Sequence, residues 1–180
     1  LERVLGQVAA RRRERTTERR ITSSGIKIRR TLESFDWASQ PKLSRAAIEE
    51  LAGLGFIQRN QDLLITGKSG TGKSHILTSI AIRACQAGLT VRFARFADVL
   101  AELHAGLADG SYDRRLRRFC GIEFLVLDDV GLGQVPPQPD APTAAHMLFN
   151  LIDLRHQRGS TAITSNIKLS AWGKYLGDAT

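Results

Sequence analysis

A three-layer α/β/α fold on a mostly parallel sheet is what this sequence predicts, on three observations. Four short runs with strand character, Asp62 to Thr66, Thr90 to Arg95, Ile122 to Leu127 and Ser160 to Ser165, are separated by longer stretches of helical periodicity. The third run is almost unbroken in apolar residues, as a parallel strand covered on both faces must be. Directly after the first run stands Gly67-Lys68-Ser69-Gly70-Thr71-Gly72-Lys73-Ser74, a phosphate-binding loop of the form G-x-x-x-x-G-K-[ST]. The fold class is therefore that of the P-loop nucleotide triphosphatases.

The elements follow in order. Leu1, Val4, Leu5 and Val8 recur at helical spacing, and Arg12, Arg15 and Arg19 continue the same stripe, so the first helix passes from an apolar face to a cationic one. Thr22-Ser23-Ser24-Gly25 breaks that helix, and Leu32 to Trp37 reads as a linker packed on the nucleotide domain. Pro41 and Ser44 open a helix with the stripe Leu43, Ala47, Leu51 and Leu54, closed by Gly53 and Gly55. After the phosphate loop, Ile76, Leu77, Ile80, Ala81 and Ala84 mark a core-facing helix ended by Gly88. Val99, Leu100, Leu103 and Leu107 define the next one. Gly110 and an N-cap at Ser111 then introduce a short helix in which Tyr112, Leu116 and Phe119 face inward, leaving Arg114, Arg115, Arg117 and Arg118 to point outward together. Four of the five prolines fall between Pro136 and Pro142, a loop excursion. Thr143 caps a helix with a core face of Ala144, Met147, Leu148, Leu151 and Ile152, ended by Gly159, and Ser170 caps a last one carrying Trp172 and Tyr175.

At 180 residues the chain fits one domain plus an arm, divided as a basic helical arm and linker over 1–40 and a nucleotide-binding core over 41–180. A net charge of +8 and a pI near 10.2 exceed what nucleotide binding requires and point to a polyanion such as nucleic acid. The arm supplies most of that excess, and Arg12, Arg15 and Arg19 form one candidate DNA surface, with Arg114, Arg115, Arg117 and Arg118 the second. The longest apolar run, Phe124 to Leu127, is far shorter than the roughly 20 residues of a bilayer span, so no membrane partner is expected. Cys85 and Cys120 show neither a pairing pattern nor metal-ligand spacing, which predicts reduced thiols in a cytoplasmic protein.

The loop carries the chemistry. A triphosphate needs a concave array of backbone N–H donors, which a turn containing Gly67, Gly70 and Gly72 can wrap without side-chain clashes. Lys73 is placed to reach the β and γ phosphates, and the Ser74 hydroxyl to supply one ligand to Mg²⁺. A dinucleotide fingerprint starting at Gly70 would need glycine where His75 stands, and a nucleophile elbow around Ser69 fails at Thr71. Asp128-Asp129 closes the third strand, where open α/β sheets bind ligands, so Asp128 is the candidate metal-side acid and Asp129 the candidate for polarising the attacking water. Asn166, directly after the fourth strand, can hold that water or report the γ-phosphate.

TLESFDW at Thr31 to Trp37, GKSGTGKSH at Gly67 to His75, LVLDDVG at Leu125 to Gly131, and TSN-x5-WG at Thr164 to Gly173 together resemble one family, the IstB-like AAA+ ATPases that serve as transposition helpers of bacterial insertion sequences. DnaC-like helicase loaders are its nearest relatives. The resemblance implies an AAA+ fold, Mg²⁺ and ATP held by Gly67 to His75 with Asp128, and Asn166 as the polar sensor. It also implies self-association into a ring or helical oligomer on duplex DNA, and delivery of a transposase to that DNA, with hydrolysis driving release. Asp129 stands where such proteins commonly carry Glu. The family continues with an Asp-Arg-Leu segment, another strand and a helical lid, whereas this sequence ends at Thr180, so the expectation is a C-terminally incomplete core that binds ATP better than it hydrolyses it. Two alternatives remain: a helicase loader preferring single-stranded DNA, and a hydrolysis-deficient nucleotide-binding DNA adaptor.

Overall fold

The structure is a computed structural model that describes residues 2–133 and 142–177, and the side chains of 2–6, 8 and 9 lie outside that description. The side chains of the stripe Leu1, Val4, Leu5 and Val8, and residues 134–141 of the proline loop, therefore lie outside that description. Four strands, β1 (Leu63–Thr66), β2 (Val91–Arg95), β3 (Phe124–Val130) and β4 (Ser160–Ser165), form one sheet in the order β1-β4-β3-β2 with every pairing parallel. The α/β class and the parallel sheet are as the sequence predicts.

Alternation along β3 divides the core into two layers. Phe124 and Val126, with Ala162 of β4, face one side and meet Ile76, Leu77, Ile80 and Ala81 of α4 (Lys73–Gln86). Leu125 and Leu127, with Ile163, face the other and meet α5 (Phe96–Ala108), α6 (Tyr112–Cys120) and α7 (Ala144–Arg155). All four of these β3 side chains are fully buried, and at about 25 cal/mol per Å² of apolar surface the strand is a principal source of stability. The first helix, α1 (Glu2–Ser23), joins the α4 layer through Ile21, and Ser24 O accepts from Phe93 N–H at 2.7 Å, so the chain leaving α1 covers the β2 edge. Leu32 and Phe35 are buried in the same layer, which makes the linker part of the core surface. No helix among the described residues is long and apolar enough to cross a membrane.

Several details differ from the sequence reading. In α2 (Arg45–Ala52), capped by Ser44, the buried residues are Ile48 and Ala52, with Leu43 and Leu51 of the predicted stripe packed partly buried beside them, while Ala47 is exposed. Gly53 stays right-handed and Leu54 takes φ +65°, leading into an unpredicted one-turn helix, α3 (Gly55–Gln58), whose Phe56 and Ile57 are buried. Leu107 points out of α5, and Gly106 takes the buried place. Ser111 occupies the N-cap position of α6 without capping it, since its hydroxyl donates to Asp109 and accepts from Arg115 Nε at 2.7 Å. α7 ends at Arg155, and Gln157 rather than Gly159 adopts positive φ. Gly159 is needed for close packing instead, because a Cβ there would lie 2.9 Å from Ile122 O. Ser170 falls inside a 3-10 turn, Leu169–Ala171, that runs into α8 (Trp172–Leu176).

Candidate functional site

The phosphate loop sits at the carboxyl end of β1, pinned to β4 by Gly67 N–H donating to Ser165 O at 3.1 Å. Gly70 and Gly72 take φ of +80° and +84°, values that side-chain-bearing residues rarely adopt. At Gly72 space adds a second demand, since a Cβ would stand 2.5 Å from the Phe35 ring. α4 starts at Lys73, so its free N–H groups and positive dipole end face the loop. The Lys73 ammonium is buried and donates to Gly67 O and Lys68 O, each at 2.8 Å. Burial pushes its pKa down, while the Asp129 and Asp128 carboxylates pull it back up.

Two hydroxyls converge on one oxygen of Asp128. Ser74 Oγ donates to Asp128 Oδ1 at 2.9 Å and Thr164 Oγ1 donates to the same atom at 2.6 Å. Burial raises the Asp128 pKa, against the lowering effect of these two bonds, and the neighbouring Asp129 charge adds to the rise. The acidic pair does not follow β3 as predicted but lies within it, at a bulge: Leu127 pairs with Ile163 and Val130 with Ser165, so Asp128 and Asp129 together oppose Thr164. Asp129 takes φ +63° there, which re-aims its side chain toward β4. Its N–H donates to Thr164 Oγ1 at 2.8 Å, and Asn166 Nδ2 donates to its Oδ1 at 3.3 Å.

These groups border a cavity of about 410 Å³ lined by Ser69 to His75, Asp129 and Asn166. Its other wall comes from the linker, through Arg30, Phe35, Asp36, Ser39 and Gln40. The structure thus brings together Ser69, Gly70, Thr71, Gly72, Lys73, Ser74, Asp129 and Asn166. Gly67 and Lys68 stand at the base of the loop, where their carbonyls hold Lys73. His75 touches the cavity but is anchored to the linker, with Nε2 at 2.8 Å from Thr31 O and 3.3 Å from Ser34 Oγ, and its ring edge-on to Phe35. The linker packs on the nucleotide domain as the sequence predicts, but its place in the cavity wall and the role of Thr164 are additions from the structure. The Thr-Ser-Asn run held the signal for Thr164, whereas nothing local distinguishes Ser39 or Gln40.

Arg12, Arg15 and Arg19 are exposed, about half a turn around α1 from the buried Ile21. On α6, Arg114, Arg117 and Arg118 are exposed as predicted. Arg115 is not among the outward group: it is half-buried and its guanidinium bonds Ser111 Oγ, Glu102 O at 3.2 Å and Asp109 at 2.7 Å. Its i−4 neighbour is Ser111, which draws the side chain back against α5 instead of out to solvent.

Comparison with known proteins agrees with this geometry. The family described as IstB-like ATP binding protein matches residues 1–180. The chain is 30% identical to the ATP-binding protein of insertion sequence IS21 from Pseudomonas aeruginosa over 93% of its own length, and spans 61% of that relative. It is 30% identical to the ATP-binding protein of insertion sequence IS5376 from Geobacillus stearothermophilus over 99% of its length, spanning 69% of it. Among solved structures, DnaI aligns with a TM-score of 0.63 at 20% identity, covering 82% of this chain and 78% of that one. AMPPCP-bound DnaA from Aquifex aeolicus aligns with a TM-score of 0.64 at 20% identity, covering 79% and 43%. These likenesses establish the fold as that of the AAA+ P-loop ATPases. The chain belongs to the IstB-like ATP-binding protein family of insertion sequences.

Proposed function

We propose that this chain is the ATPase core of a transposition factor that binds Mg-ATP, assembles on duplex DNA and delivers a transposase, with hydrolysis driving release. The observation that carries the ATPase reading is the linked set Ser74–Asp128–Thr164–Asp129–Asn166 beside a glycine loop and a buried lysine. Lys73 already points at the loop and exchanges the carbonyls of Gly67 and Lys68 for phosphate oxygens. The hard oxygen donors Ser74 and Asp128 fit Mg²⁺, which when bound neutralises charge on the β and γ phosphates. No group of three or more His, Cys, Asp or Glu that could hold a metal exists among the described residues, so such an ion relies on the nucleotide for most of its ligands. Asp129 orients and polarises water, and Asn166 fixes the carboxylate that does so.

The names of the relatives, ATP-binding proteins of insertion sequences, support transposition over helicase loading. The cationic arm over 1–40 supports DNA contact through Arg12, Arg15 and Arg19, and Arg114, Arg117 and Arg118 extend it on the core over 41–180. Self-association, the transposase and a cytoplasmic location belong to the same reading. Mg²⁺-dependent ATP hydrolysis measured with duplex, single-stranded and no DNA tests it, with Lys73→Ala as the blank. Duplex stimulation is the expected result. Stimulation by single strands alone would favour the loader, and ATP binding without turnover the adaptor.

A further inference from the structure

A second charged feature lies at the opposite end of the sheet from the phosphate loop. Between the end of α1, the start of β2 and the end of α6 runs a groove of about 340 Å³ lined by Arg20, Ser23, Thr90, Arg92, Arg118 and apolar neighbours, with no carboxylate among its lining residues. Arg20 and Arg92 are half-buried and make no ion pair among the described residues. Arg118 is 70% exposed and meets Glu102 at 3.2 Å, a rim contact worth little in water. The other acid nearby, Glu123, has one carboxylate oxygen taken up by Thr90 N–H at 2.7 Å and Thr90 Oγ1 at 2.8 Å. Three arginines therefore line one concave surface that holds no carboxylate. Like charges gathered on one surface are relieved by an anion.

Helical phase shows where the groove leads. Arg20 is not on the Arg12–Arg15–Arg19 stripe but about a quarter turn away, on the flank it shares with Arg13 one heptad earlier. On α6, Arg118 shares its face with Arg114 at i−4. A flank of α1 and a face of α6 thus meet at Arg92. We propose that this groove seats the phosphodiester backbone of duplex DNA, so that Arg13, Arg20, Arg92, Arg118 and Arg114 form one continuous phosphate track. The proposal rests on the DNA-binding reading above and changes which arginines carry it: the track runs along the flank of α1, and the predicted stripe lies beside it. Guanidinium suits the task, because its fork of donors matches phosphate oxygens in pairs. Arg92 also borders a second cavity, which reaches Asp98, Asp128 and Asp129, so the middle of the track approaches the nucleotide site.

The test is the salt dependence of duplex binding, measured on the whole chain by fluorescence anisotropy beside its ATP affinity. Arg92→Gln with Arg118→Gln is expected to flatten the slope of log affinity against log salt by about 1.8, from two lost phosphate contacts, with ATP affinity retained. Arg92→Lys with Arg118→Lys keeps the charges and is expected to restore most of the slope. Should the glutamine pair lose ATP binding as well, Arg118→Gln alone, at an exposed position, carries the test with an expected change of about 0.9. An unchanged slope in a variant that still binds ATP would overturn the groove. Failure of the unsubstituted chain to bind duplex at all would instead overturn the DNA reading beneath it, and loss of transposase capture with the DNA slope unchanged would reassign the groove to a protein partner.

Discussion

At the carboxyl end of the sheet three charged groups are held by their own neighbours: Lys73 by two carbonyls, Asp128 by two hydroxyls, Asp129 by an amide. At the amino end Arg20 and Arg92 have no such partner among the described residues, and Arg118 has only a rim contact. The difference matches two kinds of ligand. A nucleotide delivers a few phosphates in fixed geometry and is met by groups already in place, which lowers the cost of ordering them. A nucleic acid, the ligand proposed for the amino end, delivers many equivalent phosphates, a task for long side chains that adjust.

Arg155 is the exception that can break this contrast. It lies at the amino end yet is fully buried, donating to Phe119 O, Ile122 O, Ser160 O and Thr161 Oγ1 at 2.6–2.9 Å. Arg155→Met is expected to cost about 4 kcal/mol by stranding those acceptors, a fall of roughly 10 °C in the unfolding midpoint. A midpoint close to that of the parent would mean water replaces the guanidinium and that burial there is incidental. Lys73→Ala comes next: about 3 kcal/mol, or roughly a hundredfold in ATP affinity by calorimetry, with duplex affinity in the absence of nucleotide unchanged. Equal loss of both would show that the two ends are not separate. Thr164→Val, nearly isosteric, removes the donor to Asp128 and the acceptor for Asp129 N–H; a cost of about 1–2 kcal/mol in hydrolysis rate with ATP affinity almost intact is expected from single-turnover kinetics.

The smallest effect concerns pH. Because burial raises the Asp128 pKa, the native chain binds that proton more tightly than the unfolded one, so stability without nucleotide declines as pH rises from the ordinary aspartate range through the raised value. Asp128→Asn is expected to flatten that decline in thermal unfolding across mildly acidic pH. A steeper decline would place the titration elsewhere.

The sequence made the nucleotide end legible because phosphate chemistry requires glycines, a lysine and a hydroxyl at fixed spacing. Periodicity predicts the parallel sheet and the helices that cover its two faces, but not the strand order. What it left hidden depends on register between distant segments. That Thr164 opposes two aspartates comes from a bulge across strands, and that Arg115 turns inward comes from Ser111 one helical turn before it. The groove at Arg92 needed the placement of α1 against α6, which no local pattern records.

Phe35 against Gly72 has a spectroscopic consequence. The ring fills the space where a side chain on the loop would stand, and it packs on Trp37 with centroids 4.7 Å apart. On the other side of the site, Trp172 Nε1 donates to Ser165 Oγ at 3.1 Å, and Ser165 O in turn accepts from Gly67 N–H. The two tryptophans of the chain thus flank the phosphate loop, each one contact removed from it. Their intrinsic fluorescence is expected to change as nucleotide is titrated in, a readout that needs no label.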